Sequence, residues 1–139
     1  MIKNKIGKLL EFKKISDDRG SLTSLEEAKE IPFTTRRVYY LYNIVDGASR
    51  GHHAHKELEQ VMIALHGSCE VVLDDGKNKE TYILNEPNVG LYIKPGLWRE
   101  MYKFSKDAVL VVLASDIYNE DDYIRRYDDF IEYSKGLHD

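Results

Sequence analysis

Apolar residues fall in short runs broken every few positions by turn formers, and within several runs they alternate with polar residues. "RRVYYLYNIV" (36–45) is rich in aromatic and β-branched residues and ends at the turn "DGASRG". "EQVMIALHGSCEVVLDDG" (59–76) holds two apolar runs with His66 and Gly67 between them. "DDGKN" is a hairpin signal before "KETYIL", and "NVGLYIKPG", "LWREMYKF" and "AVLVVLAS" extend the series. Nearer the start, "LLEFKKI" alternates in part and "DDRG" makes a turn before "SLTSLEE". Such runs are the signature of half-buried strands, and the pattern predicts roughly nine or ten of them. With no helical segments in between, the chain belongs to the all-β sandwiches or barrels. "VLVVLA" (109–114) reads as a strand buried on both faces, or as part of an interface.

The period changes only at the end. In "NEDDYIRRYDDFIEY", Tyr123, Tyr127, Phe130 and Ile131 fall at helical spacing, with Asn119 placed to cap the start. The reading is a C-terminal amphipathic helix whose six acids form a solvated face.

Composition narrows the classes. The 139 residues suit one domain, spanning 1–139, and 42% apolar with 32% charged residues is an ordinary globular balance. A net charge of -4 argues against a nucleic-acid partner, which would require a basic stripe. No apolar run approaches the roughly 20 residues of a membrane span, so no membrane partner is expected. "MIKNKIGKLLEFKK" breaks its apolar positions with lysines and lacks a signal-peptide core. Cys69 is the sole cysteine, which rules out an intrachain disulfide. A cytoplasmic protein is expected.

The candidate chemistry is in "RGHHAHKELEQ" (50–60). Alternate residues of a strand share a face, so His53 and His55 point the same way and His52 the other. Two imidazoles facing a barrel interior would enter one cavity, and Gln60 follows at a spacing that places it on the next strand, near the same cavity.

"GHHAHKELEQVMIALHG" resembles the first half of a cupin motif. In metal-binding cupins, two such histidines bind with a glutamate and with a third histidine from a later motif. Here Gln60 stands where the glutamate would be, and "GLYIKPGLWREMYKF" contains no histidine. Glu59 in a shifted register, or His66 or His138, would have to complete a metal site. Read from Asp17 to Phe130, the chain resembles more specifically the sugar-nucleotide 3,4-ketoisomerases, through "RRVYYLYN", "RGHHAHKELEQ", "GSCEVVLDDG", "VGLYIKPGLWREM" and "VLVVLASDIYNEDDYIRRYDDF". That resemblance implies a cupin jelly roll with a short C-terminal helix. It also implies a homodimer without cofactor or metal, acting on thymidine-diphosphate 4-keto-6-deoxyglucose.

The residues suit that reaction. Moving a ketone from C4 to C3 means removing the C3 hydrogen, passing through an enediolate and delivering a proton to C4. Imidazole, with a free pKa of about 6.5, suits such work near neutral pH. The resemblance puts catalysis on His53 and His55; the reading here gives the C3 proton to His55 and the C4 side to His53. Arg50 and Arg37 are the candidate forks for the diphosphate, and Tyr39, in phase with Arg37, is a donor to the sugar or its enolate oxygen. By the same resemblance Arg19 and Arg99 line the sugar pocket. The rival readings are a 3,5-epimerase and a non-catalytic sugar-nucleotide-binding cupin, with a metal-dependent dioxygenase behind them.

Overall fold

The computed structural model describes residues 6–138, with the side chain of His138 excluded. The opening five residues, which the signal-peptide reading included, lie outside the described residues, as does Asp139.

Alternation becomes strand throughout. In chain order the strands are β1 (Lys8–Glu11), β2 (Ile15–Asp17), β3 (Gly20–Leu22), β4 (Arg37–Leu41), β5 (Arg50–His55) and β6 (Gln60–His66). They continue as β7 (Cys69–Asp74), β8 (Lys79–Leu84), β9 (Val89–Ile93), β10 (Trp98–Tyr102), β11 (Val109–Ala114) and β12 (Tyr123–Ile124), and α1 (Tyr127–His138) follows. Two five-stranded sheets face each other, ordered β1-β9-β6-β11-β4 and β12-β5-β10-β7-β8. Every pairing within them is antiparallel, the arrangement of a jelly roll. β2 and β3 pair only with each other, as a hairpin across the "DDRG" turn.

Between the sheets lies a core that includes Met62, Leu73, Leu84, Leu91, Ile93, Leu110 and Val112. Strand β6 is buried on both faces: Met62 and Ala64 face that core, while Val61 and Ile63 pack outward under Phe12, Ile31 and Phe33. Strand β11, read as buried on both faces or as part of an interface, alternates in burial within the chain. Leu110, Val112 and Ala114 are buried, and Val109, Val111 and Leu113 are half-buried.

The largest departure from the sequence reading is at the C-terminal end. Asn119 caps a single 3₁₀ turn, Glu120–Asp122, and not the long helix. Tyr123 and Ile124 then form a strand beside His55 and Ala54, and α1 begins only at Tyr127. Helical spacing carries on through "DDYIRRY" by coincidence, because pairing with the edge of β5 overrides local propensity. The helix packs Phe130 against Ala54, Trp98 and Ile124, on the back of the sheet that carries the histidines.

Candidate active site

Strand β5 owes its aim to a bulge. Gly51 at φ 90° and His52 at φ 58° both stand opposite Glu100, where the register with β10 slips by one residue. A side chain at Gly51 would be strained at this φ and would place its Cβ 3.1 Å from the Arg99 carbonyl oxygen, a tight contact, so the position favours glycine. His52, the residue at which the register slips, is turned outward and exposed, its Nε2 2.9 Å from the Ser49 hydroxyl. Beyond the bulge regular alternation resumes: Ala54 faces the helix while His53 and His55 face the barrel interior.

The two imidazoles meet edge to face, with centroids 4.9 Å apart. Tyr123, directly opposite His55 in the β5–β12 register, lies against both rings, at 5.0 Å from His53 and 4.3 Å from His55. It divides the space before them into two clefts of about 340 and 330 Å³, at the lower end of the usual range for small-molecule sites. His53 opens to the second, among Arg37, Tyr39, Arg50 and Arg125. His55 opens to the first, beside Glu57, Asp116, Asn119 and Asp122. Arg37 walls both clefts.

Hydrogen bonding fixes the rings differently. His53 Nδ1 lies 3.0 Å from the Gly51 carbonyl oxygen, which can only accept, so Nδ1 carries the proton and Nε2 is left as a lone pair. His55 is 1% exposed, and both of its nitrogens are buried without a hydrogen-bond partner. Burial, followed by the charge of Arg99, pushes His53 down to about 4. The same two causes, with His53 and Arg37 adding to them, push His55 down to about 2. Both rings are therefore neutral, and able to accept a proton, at physiological pH.

Behind them runs a buried relay. The Arg99 guanidinium donates to the Gln60 carbonyl oxygen and to the Leu97 carbonyl. Gln60 Nε2 in turn donates to the Tyr39 hydroxyl oxygen at 2.9 Å. Burial raises the Tyr39 pKa, so the phenol keeps its proton and has it free to donate. Arg37 stands over the Tyr39 ring at 5.2 Å with a buried, unpartnered Nε, a guanidinium held in place with donor capacity unused.

Of the residues singled out from the sequence, His53, His55, Arg37, Tyr39 and Arg50 converge on the clefts. Gln60 and Arg99 do not line them; both are buried one layer behind, 1% and 0% exposed, Gln60 bonded to the Tyr39 hydroxyl and Arg99 to Gln60. Arg19 is at the tip of the β2–β3 hairpin, paired with Asp17, and its own chain does not bring it to the pocket. Glu59, offered as a metal ligand, accepts from the Tyr92 hydroxyl, and His66 is engaged with the Asp107 carbonyl at the far end of β6. Among the described residues, no group of three or more His, Cys, Asp or Glu side chains is placed to hold a metal ion.

Three contributors escaped sequence reading: Asp122, Tyr123 and Arg125. Arg125 lies over the Tyr123 ring at 4.2 Å and is held there by Glu120. All three fell inside the stretch read as a C-terminal amphipathic helix, with Tyr123 on its apolar face and Asp122 on its solvated one. The only available signal was the short apolar pair Tyr123-Ile124 ahead of a second charged run.

Comparison with known proteins identifies relatives of the chain. Residues 5–135 match the family model FdtA, described as WxcM-like, C-terminal. A TDP-4-oxo-6-deoxy-alpha-D-glucose-3,4-oxoisomerase of Aneurinibacillus thermoaerophilus is 54% identical over 126 residues, 91% of each chain. A 3,4-ketoisomerase from Helicobacter canadensis superposes with a TM-score of 0.90 at 54% identity, covering 93% of this chain and 97% of the other. A histidine-to-asparagine mutant of the 3,4-ketoisomerase QdtA from Thermoanaerobacterium thermosaccharolyticum, in complex with TDP-4-keto-6-deoxyglucose, superposes at 0.93 with 43% identity, covering 96% and 97%.

Proposed function

The chain belongs to the FdtA family, and from that premise we propose that its paired clefts isomerise thymidine-diphosphate 4-keto-6-deoxyglucose to the 3-keto sugar. The observation that carries this reading is the pair of neutral imidazoles, 4.9 Å apart, facing a cavity lined by arginines and a protonated tyrosine.

What supports His53 as the base at C3 is its fixed tautomer and its open Nε2. This reverses the division of labour read from the sequence. Tyr39 donates its phenolic proton toward the C4 oxygen as the enediolate forms, and Gln60 holds that hydroxyl in position. His55, next to His53 and deeper, serves the later transfers, in which the C3 hydroxyl loses its proton and C4 gains one. Arg37 and Arg50 take the diphosphate, in keeping with the guanidinium fork's match to phosphate oxygens. The buried charge of Arg99 favours the anionic intermediate as it disfavours imidazolium. In this reading the protein works in the cytoplasm, supplying a keto sugar for amination.

Incubation with the 4-keto sugar nucleotide in deuterated water tests the reaction. The expected product is the 3-keto sugar with deuterium at C4, none at C5, and an unchanged rate after treatment with a chelator. Deuterium at C5 would indicate epimerisation instead.

We also propose a homodimer. The outer face of the first sheet leaves Val38, Tyr40 and Leu65 half or more exposed, beside the partly buried Val111 and Leu113. The nearby β2–β3 hairpin exposes Ile15 and Leu22. A contiguous apolar face of this kind calls for a partner, and a second copy is also the means by which Arg19 could approach a pocket. Light scattering on the native protein is expected to give twice the 16.2 kDa chain mass. Tyr40→Asp, opposite Val111 on this face, is expected to shift it toward the monomer. A monomeric native protein refutes the dimer.

A further inference from the structure

Asp122 is placed to govern one of the two histidines. Its side chain is 12% exposed and its Oδ2 lies 3.3 Å from His55 Nδ1. The same carboxylate accepts the backbone N–H of Glu57 at 2.8 Å through Oδ1 and that of Leu58 at 3.3 Å through Oδ2. The Asp122 carbonyl accepts from Lys56 N at 3.0 Å. Asp122 is itself fixed by Asn119, whose carbonyl accepts its backbone N–H at 3.0 Å. One residue therefore clasps the three positions that follow His55 and presents a carboxylate oxygen to the ring.

The ring's needs match. Both nitrogens of His55 are buried, and neither has a hydrogen-bond partner. The Asp122 contact is within reach but off the hydrogen-bond line, and catalytic hydrogen bonds commonly tighten only when substrate is bound. A neutral imidazole carries one proton, and a facing carboxylate, which can only accept, selects the tautomer with that proton on the near nitrogen. The cleft beyond is walled by Arg37, Glu57, Asp116 and Tyr123, and none of them makes a hydrogen bond to Nε2.

We propose that Asp122 is a positioning residue for His55: it holds Nδ1 protonated, so that Nε2 is the lone pair presented to the reacting sugar. The inference rests on the proposed isomerase reading, and it gives the C-terminal segment a part in that reaction. It also assigns the two histidines a common state, since the Gly51 carbonyl does for His53 what Asp122 does for His55.

Asp122→Asn separates this role from most of the clasp. Asparagine keeps a carbonyl oxygen for the Glu57 amide and gives up only the longer Leu58 bond, and it turns an amino group toward His55, where it donates to Nδ1 and forces the proton onto Nε2. Long-range proton–nitrogen correlation spectra of the full-length protein read the tautomer directly. The expected result is Nδ1–H at His55 in the native protein and Nε2–H in Asp122→Asn, with kcat lowered about 100-fold and KM unchanged. A native spectrum with the proton on Nε2 overturns the proposal without recourse to any variant. So does an Asp122→Asn protein that keeps both the native tautomer and the native kcat, which would leave Asp122 as a clasp only. Should the native protein fail to turn over the keto sugar yet show the expected change of tautomer, the isomerase reading falls and the hold of Asp122 on the ring stands.

Discussion

His53→Asn lowers turnover of the 4-keto sugar nucleotide by about 1000-fold, within the range that a positioned general base contributes, while nucleotide affinity stays within a few-fold. Asparagine has nearly the shape of imidazole's near half and still reaches the Gly51 carbonyl, so the bulge and the cleft walls are preserved. What disappears is the Nε2 lone pair. A factor of 1000 corresponds to about 4 kcal/mol of transition-state stabilisation, more than the loss of a single neutral hydrogen bond explains. His55→Asn is expected to be severe as well, but the two differ in hydrogen exchange. In deuterated water a residual wash-out of the C3 hydrogen should survive in His55→Asn and vanish in His53→Asn. The opposite pattern would return the C3 step to His55.

The pH profile belongs to the same prediction. Because kcat/KM reports the free enzyme and His53 titrates there only at about 4, kcat/KM should stay level from pH 8 to about 5, well below the usual imidazole range. An acid limb near 6.5 would show that the ring is not shielded as described. Stability follows with a definite sign. Between about 4 and 6.5 the unfolded chain binds a proton at His53 that the native pocket refuses, so the unfolded state holds more protons and native stability falls as pH drops through that window. His55, lower still, extends the loss further into acid.

How much of this was readable in advance varies residue by residue. Strand periodicity located His53, His55, Arg37 and Tyr39 on inward faces, because a period of two is a local property and survives folding unchanged. Periodicity carries no depth. Gln60 and Arg99 share the inward faces of their strands yet are sealed behind Tyr39, a matter of how the two sheets close. The bulge at Gly51 and His52 was not legible either, since it depends on the register with β10. For the C-terminal stretch the sequence misled: Tyr123 and Tyr127 keep helical spacing while one lies on a strand and the other on a helix. Only the long-range pairing of Tyr123 with His55 decides between them. The acids counted as a solvated face were so in large part, and Asp122 was the exception that carries function.

Phe130→Ala lowers stability by about 3–5 kcal/mol while leaving kcat at low temperature within about threefold. Phe130 is 0% exposed and packs on Trp98, with Ala54 and Ile124 in the same cluster, so truncation leaves a void that these neighbours fill only in part. For a chain of this size the unfolding midpoint should fall by roughly 10–20 °C, readable by calorimetry. The effect on chemistry is smaller because the packing is on the reverse of the catalytic sheet. Ala54 faces the helix and the flanking histidines face the cleft, and the rest of β5 is held by its ladder to β10, which the substitution does not touch. Thymidine diphosphate, binding only the native state, should recover part of the lost midpoint in proportion to its occupancy. A variant with an unchanged midpoint would mean that α1 does not seal the back of β5. One that keeps its fold at low temperature but loses turnover as completely as His53→Asn would mean that the helix aims the histidines, and the support assigned here to the β5–β10 ladder would be wrong.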